Sequence, residues 1–119
     1  MEATELRSSL QSFIGTTQYH RHWSGMRFTD GVKFLADTAN SYWLLDLIAS
    51  WQQKALLDPA LQEFQLWELH VRPDHTATVI CSRDSDDEAF RQEIQYTDFP
   101  LDYARLYVEE RVILLPSEH

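Results

Sequence analysis

The sequence predicts an α+β fold in which three N-terminal helices pack on one face of a four- or five-stranded antiparallel β-meander. Two patterns carry this expectation. Apolar residues recur every three or four positions up to about residue 63, and every second position beyond it. The 119 residues are 44% hydrophobic and 13% aromatic, with three Gly and four Pro, enough to close a core and too few breakers for fibrous or low-complexity structure. A chain of this length buries roughly 65 to 70% of its unfolded surface around one core, so residues 1–119 read as a single domain. No internal repeat and no linker-like stretch divides them.

Thr4 to Phe13 reads as a short amphipathic helix, with Leu6, Leu10, Phe13 and Ile14 on one side and Gly15 as its end. Thr16 to Arg27 is a polar and aromatic connection. Thr29 or Asp30 caps a second helix, whose Val32, Leu35, Ala36 and Ala39 share a face. Asn40 or Ser41 caps a third, running to about Leu57 before Asp58-Pro59 stops it. In YWLLDLIASW (42–51), Leu44, Leu47, Ile48 and Trp51 form one stripe and Tyr42, Leu45 and Ala49 another. A helix apolar on most sides is wrapped by other elements, so this one belongs between the first two helices and the sheet. After Glu63, Trp67, Leu69 and Val71 alternate with Glu68, His70 and Arg72. Pro73-Asp74-His75 turns the chain into a second strand, Thr76 to Ser82, and Phe90, Gln92, Ile94 and Tyr96 mark a third. Arg105 to Val108 and Arg111 to Leu115 form a last hairpin around Glu109-Glu110, a pair ill suited to the positive φ of a tight type I′ turn.

The chain resembles a small family of uncharacterised bacterial proteins described as a domain of unknown function. The resemblance rests on Tyr19-His20-Arg21-His22-Trp23, FTDGVKFLADTANSYWLLDLIAS (28–50), FQLWEL (64–69), YTDFPL (96–101) and LYVEERVILLPSEH (106–119), in that order. It implies a shared whole-domain fold and a bacterial or mobile-element source. It carries no activity and no catalytic residue.

Acids outnumber Lys and Arg by 19 to 10, a net charge of −9. The excess lies in the second half: residues 61–119 hold thirteen acids against five bases, all Arg. Such a field repels phosphate backbones, which argues against direct nucleic-acid binding and favours a protein partner, a basic one in particular. It also keeps a small domain in solution whatever the partner. The longest apolar run, Tyr42 to Trp51, is interrupted by Asp46 and is half of the roughly 20 residues that a bilayer demands, so no membrane is expected. Met1 to Leu10 lacks the basic and apolar blocks of a secretion signal, which points to the cytoplasm. The single cysteine, Cys81, excludes an internal disulfide and a cysteine-only metal cluster, and its place in a strand pattern makes it a small hydrophobe.

Two clusters could carry chemistry. His20 and His22, one residue apart in an extended segment, can face one metal, with a third ligand from Asp30, Asp46, His70, His75 or Cys81. No second metal-ligand motif supports this, and neither a metal nor a cofactor is assigned. Asp46, a carboxylate inside the most apolar helix, needs a partner, and Arg21, His22 and Arg27 are nearest along the chain. With His22 it would form an acid/base pair; as a structural pair it would pin the Thr16–Arg27 connection to the helix. The structural role is the one expected. There is no Gly-x-Ser-x-Gly elbow and no phosphate-cradling loop.

The expected function is a non-enzymatic protein-binding module. Trp23 and the acidic run Asp84, Asp86, Asp87 and Glu88 are its candidate binding residues, and His20, Arg21, His22 and Asp46 form a candidate polar cluster. One concrete form is a mobile-element inhibitor that occupies the basic nucleic-acid groove of its target. The alternative is a small metal-assisted hydrolase or ligand-binding domain using His20, His22 and Asp46. A third form is a homodimer joined through the open sheet face or the edge of the terminal hairpin.

Overall fold

Residues 2–119 are described by a computed structural model. The helical half comprises α1 (Ala3–Gln11), α2 (Asp30–Ala39), α3 (Tyr42–Ser50), α4 (Gln52–Ala55) and α5 (Pro59–Glu63). Thr29 caps α2, its hydroxyl accepting from Val32 N–H at 3.3 Å, and Asn40 closes the helix in the left-handed conformation at φ 52°. In α3, Leu44, Leu45 and Ile48 are buried and Leu47 and Trp51 half-buried, so the central helix is wrapped as its two stripes require. The helical run stops at Trp51, not Leu57. A short α4 follows, and then α5, which Asp58 caps with a 2.9 Å hydrogen bond from Ala60 N–H and which carries Pro59 in its first turn.

The strands are β1 (Tyr19–Arg21), β2 (Arg27–Thr29), β3 (Gln65–Val71), β4 (Ala77–Ser82), β5 (Glu88–Ile94), β6 (Tyr103–Glu109) and β7 (Val112–Leu114). They form one sheet in the order β1-β2-β7-β6-β3-β4-β5. Only β3-β4-β5 runs as the expected meander: β6 crosses back to pair with β3 instead of β5, and five helices stand where three were expected. The sheet is larger than expected and mixed: seven strands, with β2 and β7 parallel. Both ends of the segment expected as a connection, Thr16 to Arg27, enter strands. The physical reason is that three residues are too few to display a period of two, and β2 is held by pairing with a distant strand.

Along β3 to β5 the side chains alternate as the sequence indicates: Trp67, Leu69, Ala77, Val79 and Cys81 enter the core beneath the helices. Along β6, Ala104, Leu106 and Val108 are buried while Tyr103, Arg105 and Tyr107 are half-buried on the other side. The β6–β7 turn is a two-residue one, with Glu110 at φ 49° and Arg111 at φ 64°. Left-handed backbone at two side-chain-bearing residues costs about 1 to 2 kcal/mol each. The hydrogen bond from Arg27 N–H to Arg111 O at 3.0 Å ties this turn to β2. After β7 a 3-10 turn (Pro116–Glu118) brings Glu118 onto the start of α2, where its carboxylate accepts from Thr29 Oγ1 at 2.5 Å, Gly31 N–H at 3.2 Å and Leu115 N–H at 3.0 Å. Among the described residues, no helix is long and apolar enough to cross a membrane.

Candidate functional site

A tight turn joins β1 to β2. His22 N–H donates to Met26 O at 2.8 Å and Gly25 N–H to His22 O at 3.0 Å, with Gly25 at φ 94°, a conformation that side chains strongly disfavour. The turn lies against α3 and meets the one carboxylate of that helix. His22, 5% exposed, donates from Nε2 to Asp46 Oδ1 at 2.7 Å. Its Nδ1 accepts from Ser24 N–H at 3.1 Å and lies 2.7 Å from Ser24 Oγ, which accepts from Met26 N–H at 3.3 Å. The backbone donor on Nδ1 places the ring proton on Nε2, facing Asp46.

Trp23 sits at the tip. Its ring is 80% exposed, lies 5.0 Å from the His22 ring at an interplanar angle of 35°, and donates its indole N–H to the same Asp46 oxygen at 3.1 Å. Asp46 therefore partners a buried imidazole and an exposed indole at once. The expected pinning of the Thr16–Arg27 segment to the central helix is made by His22. Arg21 is exposed, and Arg27 instead stacks its guanidinium over Tyr19 at 5.4 Å.

His20 takes a different acid. Its Nε2 is 2.9 Å from Asp30 Oδ1, and Asp30 also accepts from Thr17 N–H and Oγ1, each at 3.0 Å. The hydrogen bond from His20, with those from Thr17, holds the Asp30 carboxyl well below the usual carboxylate range. His20, His22 and Asp46 thus do not converge on one point, because each imidazole has its own carboxylate. Among the described residues there is no group of three or more His, Cys, Asp or Glu that could hold a metal ion.

Between the turn, α3 and α4 runs a groove of about 500 Å³ lined by Trp23, Ser24, Met26, Gln52, Gln53 and Arg111. Arg111 reaches it from the strained β6–β7 turn, its Nη2 3.5 Å from Ser24 O. The chain matches, over residues 4–119, the model of a family of unknown function. It belongs to DUF6876. No curated protein and no solved structure matches it. The DUF6876 match spans the Trp23 turn, α3 and the terminal hairpin, so every piece of the groove lies inside the family's domain.

The acidic run lies elsewhere. It joins β4 to β5 at the sheet edge opposite the β1–β2 turn, so it does not form one surface with Trp23. Much of its charge is answered locally: Asp87 pairs with Arg83 at 3.0 Å, Glu88 accepts from Arg91 Nε at 2.9 Å, and Asp84 caps Asp86 N–H at 2.9 Å. Asp84 and Asp86 remain exposed and without a basic partner among the described residues. Cys81 is buried, and burial pushes its thiol up to about 12, away from nucleophile chemistry. The other three Trp serve the interior: Trp51 stacks on Phe90 at 4.3 Å, Trp67 donates to Gln65, and Trp43 packs half-buried on the core. Sequence reasoning missed Ser24 and Arg111. The His22-x-Ser24-Gly25 spacing was the available signal for the first, since a serine two residues past a histidine and before a turn glycine can reach back to the ring.

Proposed function

We propose that this DUF6876 domain is a non-enzymatic protein-binding module that docks through Trp23. The observation that carries the reading is the state of that residue: 80% exposed, yet held by a 3.1 Å hydrogen bond to Asp46 and packed on His22. A large aromatic fixed before encounter loses little side-chain entropy on binding, which is the profile of an interface anchor. The adjoining groove is a recess for a partner side chain. With a net charge of −9 the partner is a protein with a basic surface, met in the cytoplasm, and a basic groove that otherwise holds nucleic acid has the required chemistry. An inhibitor from a mobile element would act in this way. The test is binding of the immobilised domain to a panel of purified basic nucleic-acid-binding proteins across a salt series, with Trp23→Ala in parallel. A partner retained at low salt and weakened at least about tenfold by Trp23→Ala supports the reading; equal retention by both proteins, or none, removes it.

A second reading rests on Ser24. Its hydroxyl meets His22, and His22 meets Asp46, both at 2.7 Å, so a hydroxyl, a base and an orienting carboxylate stand in line beside a groove. This is a metal-free hydrolase arrangement with the two ring nitrogens exchanged relative to serine proteases. A fluorophosphonate reagent that labels Ser24 in the native chain and not after His22→Gln would favour it. An unlabelled native chain leaves Ser24 as the brace of the Trp23 turn.

A further inference from the structure

A second surface follows from where the β6–β7 ladder stops. Val71 N–H donates to Asp102 O at 2.8 Å, which sets the alternation along β6: the backbone groups of Ala104, Leu106 and Val108 face β3, and those of Tyr103, Arg105 and Tyr107 face the other way. β7 covers only the end of that second side, pairing Leu114 with Tyr107 and Val112 with Glu109. Continued in register, the residue opposite Arg105 would be Pro116. Proline has no N–H to give, and the chain turns away there into its 3-10 turn. The N–H and C=O groups of Tyr103 and Arg105 are left with no hydrogen bond among the described residues, inside the sheet and not at its outer edges.

These groups open into an apolar recess. It encloses about 260 Å³ and is lined by Leu10, Leu35, Leu101 and Leu115 and by the β6 backbone at Arg105, with Arg7 at its rim. One wall, α1, is held in place by Ser117 Oγ donating to Leu10 O at 3.0 Å. Arg7 pairs with Asp102 at 3.3 Å, but the two side chains are 52% and 82% exposed, and such a pair yields readily to a better carboxylate. The outer edge β5 is defended differently. Glu88, Arg91 and Glu93 lie along it, the charges by which exposed edges refuse new strands. At the β6 gap the charges are the exposed Arg7–Asp102 pair and Arg105, the latter engaged by Glu68 at 3.5 Å.

We propose that this gap binds an extended peptide segment of a partner protein. The peptide adds a short strand to β6, its alternate residues exchanging hydrogen bonds with the backbone of Tyr103 and Arg105 where β7 gives out. One large apolar side chain enters the leucine-lined recess, and a neighbouring carboxylate meets Arg7; the Arg105 guanidinium stays on the opposite sheet face with Glu68 at 3.5 Å. Backbone pairing supplies the attachment, and the single recess and the Arg7 guanidinium supply the choice of sequence. The site stands apart from the Trp23 turn and does not depend on that reading.

The experiment is selection of random decapeptides displayed on phage against the intact domain, followed by synthesis of the enriched sequences. The expected peptides carry an apolar residue next to Asp or Glu, bind the wild type and the Trp23→Ala protein equally, and lose at least about tenfold in affinity against Leu10→Glu or Arg7→Ala. Two variants are used because Leu10 is half-buried and its substitution needs a circular-dichroism check of folding. N-methylation of the peptide discriminates further: methyl groups at alternate amides abolish binding and those at intervening amides do not. Amide exchange supplies the direct reading, with Tyr103 and Arg105 unprotected in the free protein and protected in the complex. The proposal fails if no sequence is enriched, if N-methylation shows no alternation, or if protection appears at β5 instead. It fails as well if the two amides are protected in the free protein in proportion to its concentration, because the occupant is then a second copy of this chain.

Discussion

Removing the Asp46 carboxylate tests whether the Trp23 turn is built as described. Asp46→Ala deletes the acceptor of two hydrogen bonds, from His22 Nε2 at 2.7 Å and Trp23 Nε1 at 3.1 Å. The first is charge-assisted with a buried partner and contributes about 1.5 kcal/mol; the second is exposed and contributes about 0.5 kcal/mol. Asp46 itself is 52% exposed, so its own dehydration is small and the net loss is about 2 kcal/mol. For a chain of 119 residues the unfolding entropy is about 250 cal/mol/K, so Tm falls by about 8 °C. Asp46→Asn keeps an acceptor without the charge and loses about half as much. Calorimetry reads the shift, and ¹⁵N-detected exchange of the Trp23 indole N–H reads its cause: protected in the wild type, at the solvent-exposed rate in Asp46→Ala. A Tm within about 1 °C of wild type, or an indole N–H already exchanging freely in the wild type, refutes the pinned anchor and the reading built on it.

Three further outcomes follow from the interior and the helix ends. Gln52 and Gln65 exchange side-chain hydrogen bonds at 2.9 and 2.8 Å, and Gln65 also serves Trp67 Nε1 at 2.8 Å and Leu61 O at 3.2 Å. Gln65→Leu leaves three buried polar groups unpaired and lowers urea stability by about 3 kcal/mol at unchanged m, with a non-additive response to Gln52→Leu. Gly31→Ala would set a Cβ 2.6 Å from Leu115 Cδ1 and 2.8 Å from Glu118 Oε1, displacing the C-terminal turn from α2 and costing about 1 to 2 kcal/mol in the same assay. Asp30 has its folded-state carboxyl lowered, chiefly by the hydrogen bond from His20, so its contribution to stability is complete above the unfolded value of about 4 and is lost as the pH falls below it. The difference in urea midpoint between wild type and Asp30→Asn therefore shrinks as the pH is taken from about 5 to about 2.

What the sequence made legible tracks the length over which a pattern can repeat. The two stripes of α3 extend over nine residues, and the alternation of β3 and β5 over seven each, long enough to state a period and so a buried face. β1, β2 and β7 have three residues each, and β2 pairs with a strand from the other end of the chain. The β1–β2 and β6–β7 pairings are local but too short to state a period, and no local window contains the β2–β7 pairing. The β6–β7 turn shows the opposite limit. The turn expected at Glu109-Glu110 lies one residue later, because Glu109 still pairs with Val112; Glu110 and Arg111 adopt the positive φ because strand pairing on both sides and the bond from Arg27 N–H to Arg111 O over-determine the loop.

The candidate site divides along the same line. Asp46 with His22 was readable because an ionised carboxylate among leucines needs a polar partner, and the connection that follows α1 offers few. Ser24 and Arg111 were not, since their roles depend on where two turns meet. The unpaired backbone at β6 lies between these cases. Pro116 is plain in the sequence as the end of a strand, but its effect on Arg105 exists only once the register is known. One missing N–H therefore does two things. It releases the chain to carry Glu118 onto the start of α2, closing the fold at its C-terminal end, and it leaves the neighbouring strand half-covered. A β7 continued in register to residue 118 would occupy the gap with its own backbone. The short strand thus trades ladder hydrogen bonds for a helix-end latch and keeps open a recess for an extended chain.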